Sequence, residues 1–251
     1  MGKRLFITGG ASGIGRLAAL RYAAAGDQVI AVDINEAALQ HLALESERIT
    51  VEKLDITEYA AVSSCINRIE AGHGPIDMVI NCAAIMPLGL LAEQDVEVMH
   101  RMMDINVKGT INVNKAVLPW FLDRGQGTIV NFASIAGWVP CLYFGAYDAS
   151  KAAVVSFSEV LYHEIRSKGV RVCCVCPPPV KTPMLLEANI QPKILDEMEV
   201  VTPDQVLDAV DRSLQKGELF CFPGKLTRLS VIVRRFFPAI PWNASHKAEG
   251  F

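Results

Sequence analysis

A glycine-rich turn near the N-terminus constrains the fold more than any other stretch. Residues 5–8 have the pattern of a short apolar strand, GGASGIG follows at 9–15, and an apolar helical pattern continues over 17–24. Strand, glycine turn and helix in this order are typical of a phosphate-binding turn, because the helix N-terminus presents free N–H groups to an anion. The glycines are spaced more widely than in the GxGxxG fingerprint, so a glycine turn that binds no phosphate remains the alternative.

Strand and helix patterns alternate along the rest of the chain. Further strands are predicted at 28–32, 49–54, 78–80, 127–132, 170–175 and 219–222, and a helix at 96–117 with Asn106 in its middle. Such alternation with short connections predicts an α/β fold with a parallel sheet and helices on both faces. With 251 residues, 51% of them hydrophobic, the chain can form one large domain, predicted over 1–224, followed by a tail of different character at 225–251.

Composition excludes several classes of function. The formal net charge is −3 and no basic stripe crosses the main body, so a nucleic-acid partner is not expected. Seven cysteines, an odd number, and an N-terminus that enters a strand directly favour an intracellular, reducing location with free thiols, which predicts a cytoplasmic protein. Cys173, Cys174 and Cys176 lie in one strand pattern, where side chains alternate between faces, so no metal site is expected.

Polar residues follow the predicted strands where each strand ends. They are Asp33, Asp55, Asn81 and Ser134, and Pro177 follows the sixth strand. Ligands of open parallel sheets bind beyond the carboxyl ends of the strands, so these residues predict a site at that edge. Asp33 suits the ribose hydroxyls of an adenosine, and no Lys or Arg follows it directly to favour a ribose phosphate. Asp33 could instead, or in addition, cap the next helix, since the two roles are not exclusive.

Tyr147 and Lys151 stand one helical turn apart in the stretch AYDASK, at 146–151. On a helix they share a face, where a buried ammonium would lower the pKa of the phenol from its ordinary value of about 10. A phenol tuned in this way can act as a general acid or base on an alcohol or carbonyl. Alone, the pair is equally compatible with an ordinary helix start.

Several motifs in order resemble the short-chain dehydrogenase/reductase family. TGGASGIG at 8–15 matches the family's TGxxxGxG, and NCAA at 81–84 resembles its NNAG. Asn106, Ser134, Tyr147 and Lys151 follow in the family's catalytic order and spacing, and PPPVKTPM from Pro177 resembles PGxVxT. The resemblance extends to about residue 224 and implies a Rossmann-like, doubly wound parallel sheet of about seven strands in the order 3-2-1-4-5-6-7.

The resemblance also implies roles for individual residues. Tyr147 would exchange a proton with the substrate oxygen, and Ser134 would stabilise the charge that this oxygen develops. Lys151 would lower the pKa of Tyr147 and hold the nicotinamide ribose. Asn106 would position a water that relays protons to Lys151. The cofactor would be NAD, with NADP as the alternative. Its implied binding residues are Gly9, Ser12, Gly13, Ile14, Gly15, Asp33, Asp55, Ile56, Asn81, Ala83, Tyr147, Lys151, Pro177, Val180 and Thr182.

The chain departs from the family pattern at Pro178, where glycine is usual. Proline fixes φ and removes an N–H, so the loop beside the nicotinamide is expected to differ, without loss of a catalytic group.

Apolar residues predict the substrate class. The resemblance implies that the segment after Thr182 is a mobile lid over the substrate. Its apolar residues, together with five residues elsewhere in the chain, suggest a lipophilic (steroid-, retinoid- or acyl-like) secondary alcohol or ketone; packing of these residues on one another is the alternative. The residues are Met184, Leu185, Leu186, Ile190, Ile194, Leu195 and Met198, with Met86, Leu88, Trp138, Leu142 and Phe144. A protein that only senses the dinucleotide, without catalysis, is the competing function.

The tail at 225–251 mixes apolar and basic residues. Leu226, Leu229, Val233 and Phe237 lie roughly on one helical face among three arginines, in a stretch too short and charged to span a bilayer. The tail could join the interface of a homodimer or homotetramer, pack over the substrate cleft, or contact an anionic membrane surface peripherally.

Overall fold

The computed structural model describes residues 2–72 and 74–251. Seven parallel strands form one sheet in the order β3-β2-β1-β4-β5-β6-β7, which confirms the predicted fold class and strand order. The strands are β1 (Arg4–Thr8), β2 (Gln28–Asp33), β3 (Ile49–Lys53), β4 (Met78–Asn81), β5 (Gly127–Phe132), β6 (Val170–Val175) and β7 (Phe220–Cys221). The helices are α1 (Gly13–Ala24), α2 (Glu36–Ala43), α3 (Tyr59–Gly72), α4 (Val96–Met103), α5 (Thr110–Arg124), α6 (Gly145–Ile165), α7 (Pro183–Leu186), α8 (Pro203–Lys216), α9 (Thr227–Phe236) and α10 (Ala239–Glu249).

Both faces of the sheet are buried. Alternate residues of β1 point to opposite sides, so Leu5 and Ile7 pack with α1, α2 and α8, whereas Phe6 packs with α3, α5 and α6. Such burial explains why the strands read as continuous apolar runs in the sequence rather than as alternating ones.

The start of α1 comes very close to the end of β1. A methyl group on Gly15 would collide with the carbonyl oxygen of Gly9, and Gly9 itself has φ +67°, a conformation that favours glycine. These glycines therefore place the N-terminus of α1 directly at the carboxyl edge of the sheet.

The predicted helix at 96–117 is wrong in detail. α4 passes into a π-helical segment, Asp104–Gly109, and α5 then continues to Arg124. The π-segment holds Asn106, whose side chain bonds to the backbone of Ile85, so the extra residue in this turn accompanies a tertiary contact that helical periodicity does not reveal.

The apolar core beneath α5 generates a stability prediction. Phe121 is fully buried, and its ring fills the space above Gly127. We expect Phe121→Ala to lower the free energy of unfolding by about 3–5 kcal/mol, because it leaves a cavity in a close-packed core. The measurement is the denaturant midpoint of unfolding. The matched control, Phe236→Ala, removes a ring that is 69% exposed and should leave the midpoint nearly unchanged; equal shifts would contradict the described core.

Candidate active site

A cavity of about 460 Å³ opens at the carboxyl edge of the sheet. It lies beyond the ends of β1, β2, β4, β5 and β6 and is closed on one side by the segment 177–198. Most of the predicted site residues line it. They are Gly9, Ser12, Gly13, Ile14, Gly15, Asp33, Asp55, Ile56, Ala83, Ser134, Tyr147, Lys151, Pro177, Val180 and Thr182.

The first turn of α1 is suited to an anion. Ser12, the N-cap residue, makes no side-chain capping bond, and no acidic residue stands in this turn. Gly13 has φ +51°, and a methyl group on Gly9 would lie 2.8 Å from the backbone nitrogen of Ala83. The uncapped N–H groups and the partial positive charge of the helix start fit a pyrophosphate, and the glycines leave room for one.

Asp33 ties the glycine turn to the end of β2. One carboxylate oxygen accepts a bond from the Ala11 nitrogen at 3.2 Å, and the other accepts from the Asn35 nitrogen at 3.0 Å. The cap of α2 is Asn35, whose side chain accepts from Ala38, so the alternative role of Asp33 as that cap is wrong. Asp33 is thus held at the cavity wall, where its carboxylate oxygens could accept hydrogen bonds from a hydroxyl-bearing ligand.

Ser134, Tyr147 and Lys151 line the same cavity, and the Ser134 hydroxyl is within hydrogen-bond reach of Tyr147. Ser134 caps a short 3₁₀ turn after β5, and its hydroxyl accepts from the Ala136 nitrogen at 3.1 Å. Tyr147 and Lys151 lie one turn apart on α6, with the Lys151 ammonium 5.7 Å from the centre of the Tyr147 ring. That ammonium donates to the carbonyl oxygen of Phe132 at 2.9 Å, which fixes its position.

Burial governs the charges of these groups. It raises the pKa of Tyr147 to about 12, although the Ser134 hydroxyl opposes the shift by hydrogen bonding. It lowers the pKa of Lys151 to about 8. The direction for Tyr147 is opposite to the one expected from sequence, because the phenol is buried and the ammonium bonds to Phe132 rather than to the phenol.

Two predicted site residues do not reach the cavity wall. The amide of Asn81 donates to Asn131 at 2.9 Å, within a buried network that continues to Asn114 and Ser158. Its amide nitrogen therefore links β4 to β5, while its side-chain oxygen has no hydrogen-bond partner among the described residues.

Asn106 is likewise held behind the wall. Its amide oxygen accepts from the Ile85 nitrogen at 2.8 Å, and its amide nitrogen donates to the Ile85 carbonyl and to the Ser150 hydroxyl, both at 3.0 Å. Asn106 thereby connects Ile85, in the chain after β4, to Ser150 of α6, the residue directly before Lys151.

Sequence reasoning missed Asp148. This carboxyl lines the cavity, is 7% exposed, and accepts from the Cys141 nitrogen at 2.9 Å, while its second oxygen has no partner among the described residues. Burial raises its pKa to about 8. The available signal was an acidic residue inside AYDASK, directly after the tyrosine.

The predicted apolar lining is partly correct. Six of the predicted residues line the cavity, namely Met86, Phe144, Met184, Leu185, Leu195 and Met198. Trp138 instead packs against Phe220 and Phe222, and Leu142 lines a separate hollow beside Trp242. Leu88 and Ile194 are buried, and Leu186 is exposed.

The cysteines of β6 are distributed as an extended strand requires. Cys174 and Cys176 pack in one cluster, with their sulfurs 3.9 Å apart, and Cys173 points into the core on the opposite face. Within residues 2–72 and 74–251, no three His, Cys, Asp or Glu side chains are grouped to hold a metal ion.

Comparison with known proteins shows which family the chain matches. Residues 3–193 match the family described as "short chain dehydrogenase". The chain is 42% identical over 187 residues to the 2-keto-3-deoxy-L-fuconate dehydrogenase of Xanthomonas campestris pv. campestris, which covers 73% of this chain but only 60% of that protein. It is 36% identical over 185 residues to the 2-dehydro-3-deoxy-L-rhamnonate dehydrogenase (NAD(+)) of Sphingomonas sp. strain SKA58, covering 73% of this chain and 74% of that protein.

A solved structure of a short-chain dehydrogenase from Streptomyces avermitilis superposes with a TM-score of 0.85 at 25% identity, over 98% of this chain and 97% of that one. The family match spans the glycine turn, the cavity and α6, and the superposition extends through the remaining strands and helices. The chain therefore belongs to the short-chain dehydrogenase/reductase family.

Proposed function

We propose that this protein is an NAD-dependent oxidoreductase that interconverts a secondary alcohol and a ketone. The observation that carries the proposal is the convergence of Ser134, Tyr147 and Lys151 on a cavity that the uncapped start of α1 also lines. A protein that only sensed a dinucleotide would need the helix start but not this set of groups, so the competing non-catalytic function is less well supported.

The Tyr147 hydroxyl is the group that exchanges a proton with the substrate oxygen. The phenol is protonated at neutral pH, which lies well below its pKa, and this is the form that donates a proton during carbonyl reduction. The Ser134 hydroxyl would donate a second hydrogen bond to the same oxygen and stabilise its developing charge. Bound NAD would supply hydride acceptance and, when reduced, hydride donation.

Lys151 and Asn106 would support the proton exchange at Tyr147 without contacting the substrate oxygen. The Phe132 carbonyl holds the Lys151 ammonium next to Tyr147, where its charge favours the transient phenolate and its N–H groups can reach a ribose hydroxyl. Asn106 fixes Ile85 against Ser150, so it would keep α6 in register and support a water relay towards Lys151.

Asp33 favours NAD over NADP. Its carboxylate is held at the cavity wall by Ala11 and Asn35, where it can accept from ribose hydroxyls but would repel a ribose phosphate. The name of the Sphingomonas relative specifies NAD(+), which agrees with this preference.

The first test is the role of Tyr147. We expect Tyr147→Phe to lower kcat with NAD and secondary alcohols by about 10²–10⁴-fold, because the proton donor is lost, while NADH binding measured by fluorescence is retained. Tyr143→Phe, four residues earlier, is the matched control and should turn over like the wild type. Full turnover by Tyr147→Phe would refute the mechanism, and turnover that is faster with NADP than with NAD would refute the role of Asp33.

The lining of the cavity favours a lipophilic substrate. Met86, Phe144, Met184, Leu195 and Met198 surround the space next to Tyr147 or under the lid segment. Burial of a matching apolar group against such side chains is favourable, and the few polar groups would fix its orientation.

A hydroxy or keto acid is the second candidate, because two relatives are named for sugar acids. Among the described residues that line the cavity, the cations are Lys151, which already bonds to Phe132, and the exposed Arg101 of α4. A substrate carboxylate would therefore depend on Arg101.

A substrate panel separates the two candidates. We expect kcat/KM with NAD to be highest for long-chain and cyclic secondary alcohols and lower for short hydroxy acids, since the lining is apolar. Arg101→Gln, with Lys108→Gln as the exposed control, should leave the lipophilic substrates unaffected. If hydroxy acids prove the better substrates and Arg101→Gln raises their KM roughly tenfold or more, the lipophilic assignment is wrong.

Asp148 gives the protein a pH-dependent stability. Its pKa is about 8 when folded, against an ordinary value of 3.8, so the folded protein binds the extra proton between about pH 4 and pH 8. The stability that accompanies this proton is fully present below about pH 4 and is lost progressively as pH rises from about 4 to about 8.

We expect Asp148→Asn to remove this dependence. The variant should gain stability relative to the wild type as pH rises from about 4 to 8, by up to roughly 1.4 kcal/mol per pH unit, because Asn never ionises. Thermal unfolding over that pH range measures the difference. Asp123→Asn, on the exposed surface of α5, is the control, and its stability should differ from that of the wild type by the same amount at every pH. If the stability of Asp148→Asn ran parallel to that of the wild type over this range, the Asp148 carboxyl would already be ionised in the folded protein.

A further inference from the structure

The C-terminal tail, residues 225–251, is fastened to the body of the protein at several points. At its start, the Glu199 carboxylate accepts from the backbone nitrogens of Lys225 and Leu226. Near its end, the fully buried Ser245 accepts from the Leu142 nitrogen at 3.3 Å, and Glu249 accepts from the Ile194 nitrogen at 2.9 Å. The tail is therefore an ordered part of the fold, and α10 rests on the segment that closes the cavity.

The outer face of the tail is nevertheless apolar. Leu229, Ile232 and Phe236 are spaced three and four residues apart, so they share one side of α9, and each is exposed. Phe236 and Phe237 are 69% and 61% exposed at the turn into α10, and Ile240 continues the same exposed run. We call this set of five residues the tail apolar face.

Basic residues flank the tail apolar face. Arg228 and Arg235, seven residues apart, lie together on one flank of α9, and both are exposed. The tail contains five Lys and Arg and one Glu, a formal charge of +4, whereas the whole chain carries −3, so residues 1–224 carry −7. The tail therefore carries a net positive charge beside the exposed rings of Phe236 and Phe237, whereas the rest of the chain is net negative.

We propose that the tail apolar face docks peripherally on an anionic membrane surface. An interfacial helix requires an apolar face with Phe and Leu beside a basic flank, and the turn Phe236–Phe237 offers two rings that can enter the headgroup region without unfolding. Each basic residue near an anionic surface contributes attraction, while the anionic body is kept on the solvent side.

A second copy of the chain fits this face less well. A two-fold contact would place the same patch on both partners, so two tails of charge +4 would face each other, and their desolvated arginines would repel. No helix in the described residues has the length and apolar character needed to cross a bilayer, so the contact proposed is a surface one.

Vesicle co-sedimentation of the full chain tests the proposal without substrate. We expect binding to phosphatidylcholine vesicles that contain phosphatidylglycerol, weak binding to phosphatidylcholine alone, and loss of binding at high salt. Arg228→Gln with Arg235→Gln should weaken partitioning about thirtyfold, because two charges near the surface are removed. Phe236→Ser with Phe237→Ser should abolish it.

Matched controls keep the result interpretable. Leu44→Ser removes a side chain that is 86% exposed elsewhere on the surface, and Lys115→Gln with Lys108→Gln removes two other exposed charges; both should bind like the wild type. Thermal unfolding and turnover should be unchanged in every variant. The proposal is overturned if the wild type does not bind anionic vesicles or if the Phe236→Ser, Phe237→Ser variant still binds them. It is also overturned if the only effect of that variant is to dissociate an oligomer, measured by size-exclusion chromatography with light scattering.

Discussion

Burial of both faces of the parallel sheet is the constraint on which the rest of this structure depends. Helices cover each face, so a ligand can reach polar side chains of the sheet at the edge where the strands end. Asp33, Asp55 and Ser134 all follow strand ends at the same edge, and the close approach of Gly9 and Gly15 adds the start of α1 there. The cavity is the space that these strand ends and the segment after Pro177 enclose.

A set of buried amides holds that edge in register. Asn81, Asn131 and Asn114 form a chain of hydrogen bonds that joins β4, β5 and α5, and Asn131 extends it to Ser158 of α6. Asn106 makes a second link, from Ile85 to Ser150. Both links end on α6, the helix that carries Tyr147 and Lys151, so they hold that helix against β5 and against the chain after β4.

Local patterns in the sequence were sufficient for the strands, the glycine turn and the positions around the cavity, since each depends on a few neighbouring residues. They could not show that Asn81 turns to Asn131, a partner 50 residues away, or that Asn106 sits in a π-helical turn. The direction of the pKa shift of Tyr147 could not be predicted either, because it depends on burial by distant segments rather than on the spacing to Lys151. Asp148 is visible in the sequence, but its burial and its hydrogen bond from the Cys141 nitrogen arise only in the folded chain.

The three ionisable groups of α6 at this site share one physical cause. Burial raises the pKa of Tyr147 and Asp148 and lowers that of Lys151, so each shift favours the neutral form. An ionised Asp148 would raise the pKa of Tyr147 further and oppose phenolate formation. A neutral Asp148 can therefore hold the Cys141 loop without adding a negative charge next to the phenol, which reconciles a buried carboxyl with a tyrosine that must give up and regain a proton.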